Sequence, residues 1–173
     1  MHPTQNSMKT LYIVRHAKSS WAQEGLNDFD RPLNERGIQN SPEMARRLKQ
    51  SGPLPELILS SPAKRAISTA RLFAAEWELS EEHIRQDASI YEASRADLLR
   101  LIFRQDPDID TILLTGHNPG VTDFINWLCG EEEEQIPTCS IATVIVNSNK
   151  WNGWEKGMGK LHNLDFPKKN KQE

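Results

Sequence analysis

Residues 11–21 read Leu11-Tyr12-Ile13-Val14-Arg15-His16-Ala17-Lys18-Ser19-Ser20-Trp21. The first four are apolar and suit a short strand buried on both faces. Two similar runs follow, Leu57-Ile58-Leu59 and Thr111-Ile112-Leu113-Leu114. Between the runs the apolar spacing turns helical. Asn34 is placed to cap a helix from Glu35, with Met44, Ala45 and Leu48 on one face and Gly52-Pro53 as the stop. Ser61-Pro62 reads as an N-cap followed by proline at the first helical position, and Ile67, Ala70, Ala74 and Trp77 mark the face behind it. Residues 96–103 are helical, with Leu98, Leu101 and Ile102 on one side. Asn118-Pro119 reads as the cap of another helix, in which Val121, Phe124, Ile125 and Leu128 share a face. A short strand near Ile84, a loop through Tyr91-Glu92, a strand over 141–146 and an edge hairpin strand over 151–161 complete the pattern. Strands alternating with helices of this length imply βαβ units. The expected fold is therefore α/β and three-layered, a mostly parallel sheet with helices on both faces.

The 173 residues correspond to one domain, at roughly 100–200 residues each. Lys and Arg total 21 against 24 Asp and Glu, a net charge of −3, which argues against a nucleic-acid partner. The two cysteines, Cys129 and Cys139, form no CxxC and have no metal-ligand spacing, which fits a reducing, cytoplasmic setting. No apolar run approaches the ~18 residues of a membrane span. The polar start MHPTQNSMKT lacks the apolar core of a signal peptide. Residues 1–8 are expected to form a disordered leader, 9–165 the domain and 166–173 a flexible tail. The acidic run 131–134 reads as a solvated loop.

In open α/β sheets, ligands bind beyond the carboxyl ends of the strands. Arg15-His16 follows the first strand. Ser60, Ser61 and then Arg65 follow the second, and Thr115-Gly116-His117-Asn118 follows the third. Two arginines and two histidines thus reach one edge, where helix N-termini also favour an anion. Two guanidiniums clamp a phosphate or a carboxylate. No carboxylate cluster suited to Mg²⁺ and no GxxxxGK[ST] cradle accompanies them, so neither a metal nor an organic cofactor is expected. A histidine held against a clamped phosphoryl group is a candidate nucleophile, and a second can steady oxygens or shuttle a proton. The other ring nitrogen of such a nucleophile is expected to donate to a backbone carbonyl, which fixes its tautomer.

The residues 11–21 resemble the Arg-His signature of the histidine phosphatase superfamily. Asp30-Arg31-Pro32-Leu33-Asn34-Glu35-Arg36-Gly37, Ser60-Ser61-Pro62-Ala63-Lys64-Arg65-Ala66 and Gly116-His117-Asn118-Pro119-Gly120 resemble its later blocks, in order. The likeness runs over roughly residues 9–165 and is strongest to the short, SixA-type phosphohistidine phosphatase branch. It implies a phosphoglycerate-mutase-like fold, with His16 attacking phosphorus, Arg15 and Arg65 holding the phosphoryl oxygens and His117 as the second histidine. Glu92 stands where the family often carries a general acid, and a plain loop residue is the alternative. Lys18 and Ser19 fall at the pocket mouth as substrate-binding candidates, and Arg31 as a structural salt-bridge partner. Two departures separate the chain from mutase-type relatives. Ala17 replaces the frequent glycine after the histidine, tolerable if its φ stays negative. Ala22 stands where mutases carry asparagine, and the long insertion before the second histidine is missing. The resemblance implies hydrolysis of phosphohistidine on a protein partner. A small-molecule phosphomonoesterase and a non-catalytic phosphate- or phosphopeptide-binding module are the alternatives. Neither the physiological substrate nor the oligomeric state follows from the residues.

Overall fold

Successive side chains of a strand point to opposite faces, so a strand apolar throughout needs cover on both. In the computed structural model, which describes residues 8–169, that demand organises the chain. The elements are β1 (Met8–Arg15), α1 (Glu35–Ser51), β2 (Leu57–Ser60), α2 (Lys64–Glu76), β3 (Ile84–Gln86), α3 (Arg95–Phe103), β4 (Thr111–Gly116), α4 (Gly120–Cys129), β5 (Ile141–Asn147) and β6 (Gly159–Asp165). The six strands form one sheet in the order β3-β2-β4-β1-β5-β6. Leu11, Ile13, Leu59, Ile112 and Leu114 enter one core with Leu98 and Ile102 of α3 and Phe124 and Leu128 of α4. Tyr12, Val14, Ile58 and Leu113 enter the other, with Met44 and Leu48 of α1 and Ile67 and Phe73 of α2. The three-layer α/β arrangement is as expected. The sheet is mixed: β3, β2, β4 and β1 run parallel, whereas β5 and β6 pair antiparallel.

Helix starts depart from the sequence expectation in two places. Asn34 does cap α1, its side chain accepting from the Gly37 N–H at 2.9 Å. By contrast α2 begins at Lys64 behind Ala63, not at Ser61-Pro62. Ser61 is still following the β4 ladder, its N–H donating to the Thr115 carbonyl. Likewise α4 begins behind Pro119, and the Asn118 side chain spans to the 130s loop instead of capping. Local propensity proposed both caps, and tertiary hydrogen bonds took the side chains.

The C-terminal expectations also shift. Residues 151–158 form no strand, and β6 starts only at Gly159. Trp151 and Trp154 are buried in the core, and Gly153 and Gly157 take left-handed φ of 75° and 81°, which breaks extended backbone. Met8, placed in the leader by the sequence, is the first residue of β1 and pairs with Asn147. At the other end Arg47 donates to the carbonyls of Phe166 and Pro167, so the start of the expected tail is tied to α1. Residues 1–7 and 170–173 lie outside the described residues.

Two glycines set how closely segments approach near the sheet's carboxyl edge. A Cβ on Gly37 would stand 2.3 Å from the Lys18 carbonyl oxygen. One on Gly120 would stand 2.2 Å from the Ala93 carbonyl oxygen. Only glycine therefore lets α1 close on the segment after β1, and α4 on the loop after Tyr91.

Candidate active site

Three neighbouring strands end level. Arg15 is opposite Gly116, and Ser60 opposite Thr115. The ladder runs one step further, as His16 N–H donates to Gly116 and Ser61 N–H to Thr115. His16, Ser61 and His117 therefore emerge side by side, with the two imidazole centroids 5.1 Å apart. The end of β1 is pinned from below, because the Cys139 N–H donates to both the Arg15 and the His16 carbonyl. Ala17 is fully buried, keeps a negative φ and donates its N–H to Thr69 of α2 at 2.9 Å. Thr69 in turn donates to the Arg65 carbonyl, which ties the first turn of α2 to the same spot.

The hydrogen bonds decide which nitrogens are free. His16 Nδ1 lies 2.7 Å from the Ala17 carbonyl oxygen, so it carries the proton and Nε2 keeps its lone pair. His117 Nε2 lies 2.8 Å from Ser61 Oγ. That hydroxyl also accepts from the Ala63 N–H, and when it donates its own proton to Nε2 the His117 proton sits on Nδ1. His117 Nδ1 is buried without a protein partner, as are Arg15 Nε and Arg65 Nε. Buried polar nitrogens in native structures are normally paired, so two orphaned guanidinium N–H groups and an unpaired imidazole nitrogen beside His16 point to an anionic guest.

The guanidiniums are held by their remaining nitrogens. Arg15 donates to the Ile136 carbonyl, which Asn118 also binds, while Thr122 fastens Asn118 and the Ile136 N–H. Arg65 donates twice to Asp28, once to its carbonyl and once to its carboxylate at 2.8 Å. Asp28 was missed in the sequence. Its carboxylate also accepts from Tyr91 at 2.7 Å and from Arg31, whose other end reaches Ser19 Oγ. Nothing local marks it, since its partners lie at positions 31, 65 and 91. The Tyr91 ring stands edge-on to His117 at 5.5 Å, so the loop that carries Glu92 contributes Tyr91 to the site.

The remaining candidates are placed differently. Glu92 is exposed on a left-handed backbone (φ 55°), and no hydrogen bond or ion pair holds it among the described residues. Ser19 faces Arg31 and acts as a brace for the Asp28 loop. Lys18 is exposed and lines a cleft that it shares with Arg15. Arg31 bridges Asp28 and Ser19, the structural role expected of it. Among the described residues no group of three or more His, Cys, Asp or Glu side chains is placed to hold a metal ion.

Burial sets the electrostatics. It drives His16 down to about 3, assisted by the positive neighbours, and His117 down to about 4, assisted by Arg65. The hydrogen bond from Tyr91 and the Arg65 guanidinium hold the Asp28 carboxyl well below its usual range. Burial pushes the Cys139 thiol up to about 12, so it is no rival nucleophile. Both histidines are thus neutral in the free protein, the form that can attack. An NMR titration is expected to show neither ring protonating near the ordinary 6.5. Because the folded values lie below the unfolded ones, the stability contributed is present above pH 6.5 and lost as pH falls towards 3. A titration midpoint for His16 near 6.5 would contradict this account of the pocket.

Known proteins resemble this chain in sequence and in fold. The family model of the histidine phosphatase superfamily (branch 1) matches residues 11–98. An uncharacterized chloroplastic protein of Arabidopsis thaliana is 32% identical over 157 residues, covering 86% of this chain and 72% of that one. The crystal structure of the SixA chain of Agrobacterium tumefaciens superposes with a TM-score of 0.77 at 27% identity, covering 92% of this chain and 98% of that one. The protein histidine phosphatase SixA complexed with tungstate shares the fold, with a TM-score of 0.74 at 24% identity and coverage of 91% and 97%. His117 lies beyond the matched residues, yet the sheet brings it beside His16. On sequence and fold together, this chain belongs to the histidine phosphatase superfamily.

Proposed function

We propose that this chain hydrolyses phosphohistidine on a protein through a phosphorylated His16. The observation that carries the reading is the set of three unpaired buried nitrogens, on Arg15, Arg65 and His117, around an imidazole whose Nε2 is free. His16 Nε2 attacks phosphorus in line as the substrate's P–N bond breaks. The leaving imidazole departs neutral, because its other ring nitrogen can already carry a proton when the P–N bond gives its electron pair back to the ring. Arg15 and Arg65 stabilise charge on the equatorial oxygens, and His117 Nδ1–H donates to one of them. The approaching dianion raises the affinity of His117 for a proton, opposite to the effect of Arg65. Water then attacks phosphorus, the His16–phosphorus bond breaks, and phosphate leaves with the proton from water.

The preference for a nitrogen leaving group rests on Glu92. An alkoxide needs a proton donor, and the family's acid position here is exposed and unheld. A phosphoramidate does without one. The test compares kcat/KM for a phosphohistidine-bearing carrier protein, a phosphoserine peptide and a set of sugar phosphates. The phosphohistidine protein is expected to lead. A preference of about tenfold or more for any sugar phosphate, worth about 1.4 kcal/mol in transition-state binding, would assign the chain to small-molecule phosphomonoesters instead.

A further inference from the structure

A cleft of about 440 Å³ opens beside Arg15. Its walls carry four cations, Arg15, Lys18, Arg36 and Lys168, and no carboxylate, in a chain whose net charge is −3. Among the described residues Lys18, Arg36 and Lys168 pair with no acid. The structure holds these unpaired charges together from three directions. Gly37 seats the start of α1 directly on the Lys18 carbonyl, and Asn34 N–H donates to the same oxygen, which sets Arg36 beside Lys18. Arg47 grips Asp165 and the carbonyls of Phe166 and Pro167, which delivers Lys168 from the other end of the chain. Like charges gathered on braced backbone favour a ligand of opposite sign.

We propose that this cleft is a second anion subsite, which takes acidic side chains flanking the phosphorylated residue of a polypeptide substrate; it rests on the phosphatase reading above. Arg15 belongs to both sites, since it lines the cleft and its charge acts on His16, so one substrate spans the two. The polypeptide follows from the protein substrate proposed above, and four cations with no carboxylate between them select acidic side chains on it. Pro137 and Phe166 interleave apolar surface with the cations, which suits a stretch of chain carrying acids.

The experiment uses the full chain and two phosphohistidine peptides, one flanked by glutamates and one with glutamines at the same positions. The acidic peptide is expected to lead by about tenfold in kcat/KM, and high salt should erase the difference, since exposed charges are screened. The double variant Arg36→Glu/Lys168→Glu should lose the preference while hydrolysing an aryl phosphate at the wild-type rate. Equal rates on the two peptides, or a preference that survives the double variant, would overturn the proposal. So would an equally strong preference for a small phosphate ester bearing a carboxylate over its uncharged counterpart, which would make the subsite one for a small molecule. Fluorescence polarisation of both peptides carrying a non-hydrolysable phosphohistidine analogue reads the cleft without turnover. Tighter binding of the acidic form with no hydrolysis of any phosphate would sink the phosphatase reading and uphold the cleft.

Discussion

Replacing His16 by alanine is expected to lower kcat by at least about 10⁴-fold, the scale seen when an attacking group is deleted from its site. The buried Cys139 thiol, pushed up to about 12, is no substitute nucleophile. Labelled substrate mixed with the wild-type chain and quenched should leave an adduct on His16 that is labile to acid and stable to base. The variant should leave none. Its thermal midpoint serves as the control for folding, since the His16 side chain contributes one hydrogen bond, to the adjacent Ala17 carbonyl. A His16→Ala protein that keeps turnover within about tenfold of wild type would remove the covalent mechanism.

Arg65→Ala is expected to cost about 10²–10³ in rate on an aryl phosphate, as losing one electrostatic donor typically does. Glu92→Ala on the same substrate should stay close to wild type. The physical difference is one of position. Arg65 is 5% exposed, with Nε unpaired in the pocket and its other nitrogens braced by Asp28. Glu92 is exposed, and an aryl leaving group needs no proton donor. Arg65→Lys should recover little, because an ammonium cannot bond Asp28 twice and still present a third nitrogen. Steady-state kinetics on the three variants decides the matter. Equal losses for Arg65→Ala and Glu92→Ala would give Glu92 a part in the chemistry that its position does not explain.

Much of this was legible before any coordinates. The runs at Leu11-Tyr12-Ile13-Val14, Leu57-Ile58-Leu59 and Ile112-Leu113-Leu114 became the three central strands because a strand buried on both faces has a continuous apolar signature. Once those strands were placed, Arg15, His16, Arg65 and His117 had to gather at one edge, since each follows the carboxyl end of a strand. The caps at Ser61 and Asn118 were misjudged for the complementary reason. A serine or asparagine before a helix is a local signal, and distant partners, His117 and Ile136, took those side chains. The strand expected over 151–158 failed similarly, as two tryptophans found the core and two glycines turned the backbone.

The order of strands and helices, the two cores and the meeting of the two arginines with the two histidines were therefore determined by the sequence itself. Apolar periodicity and chain order are sufficient causes for them. Tertiary structure alone decided which nitrogens stay free, that Asp28 braces Arg65 through bonds spanning 37 positions, and that Tyr91 rather than Glu92 faces His117. It also decided that Lys18 and Lys168, near opposite ends of the chain, line one cleft. Side-chain hydrogen bonds depend on single rotamers and on segments remote in sequence, and burial shifts a histidine only once the walls around it exist. Neither leaves a local pattern to read.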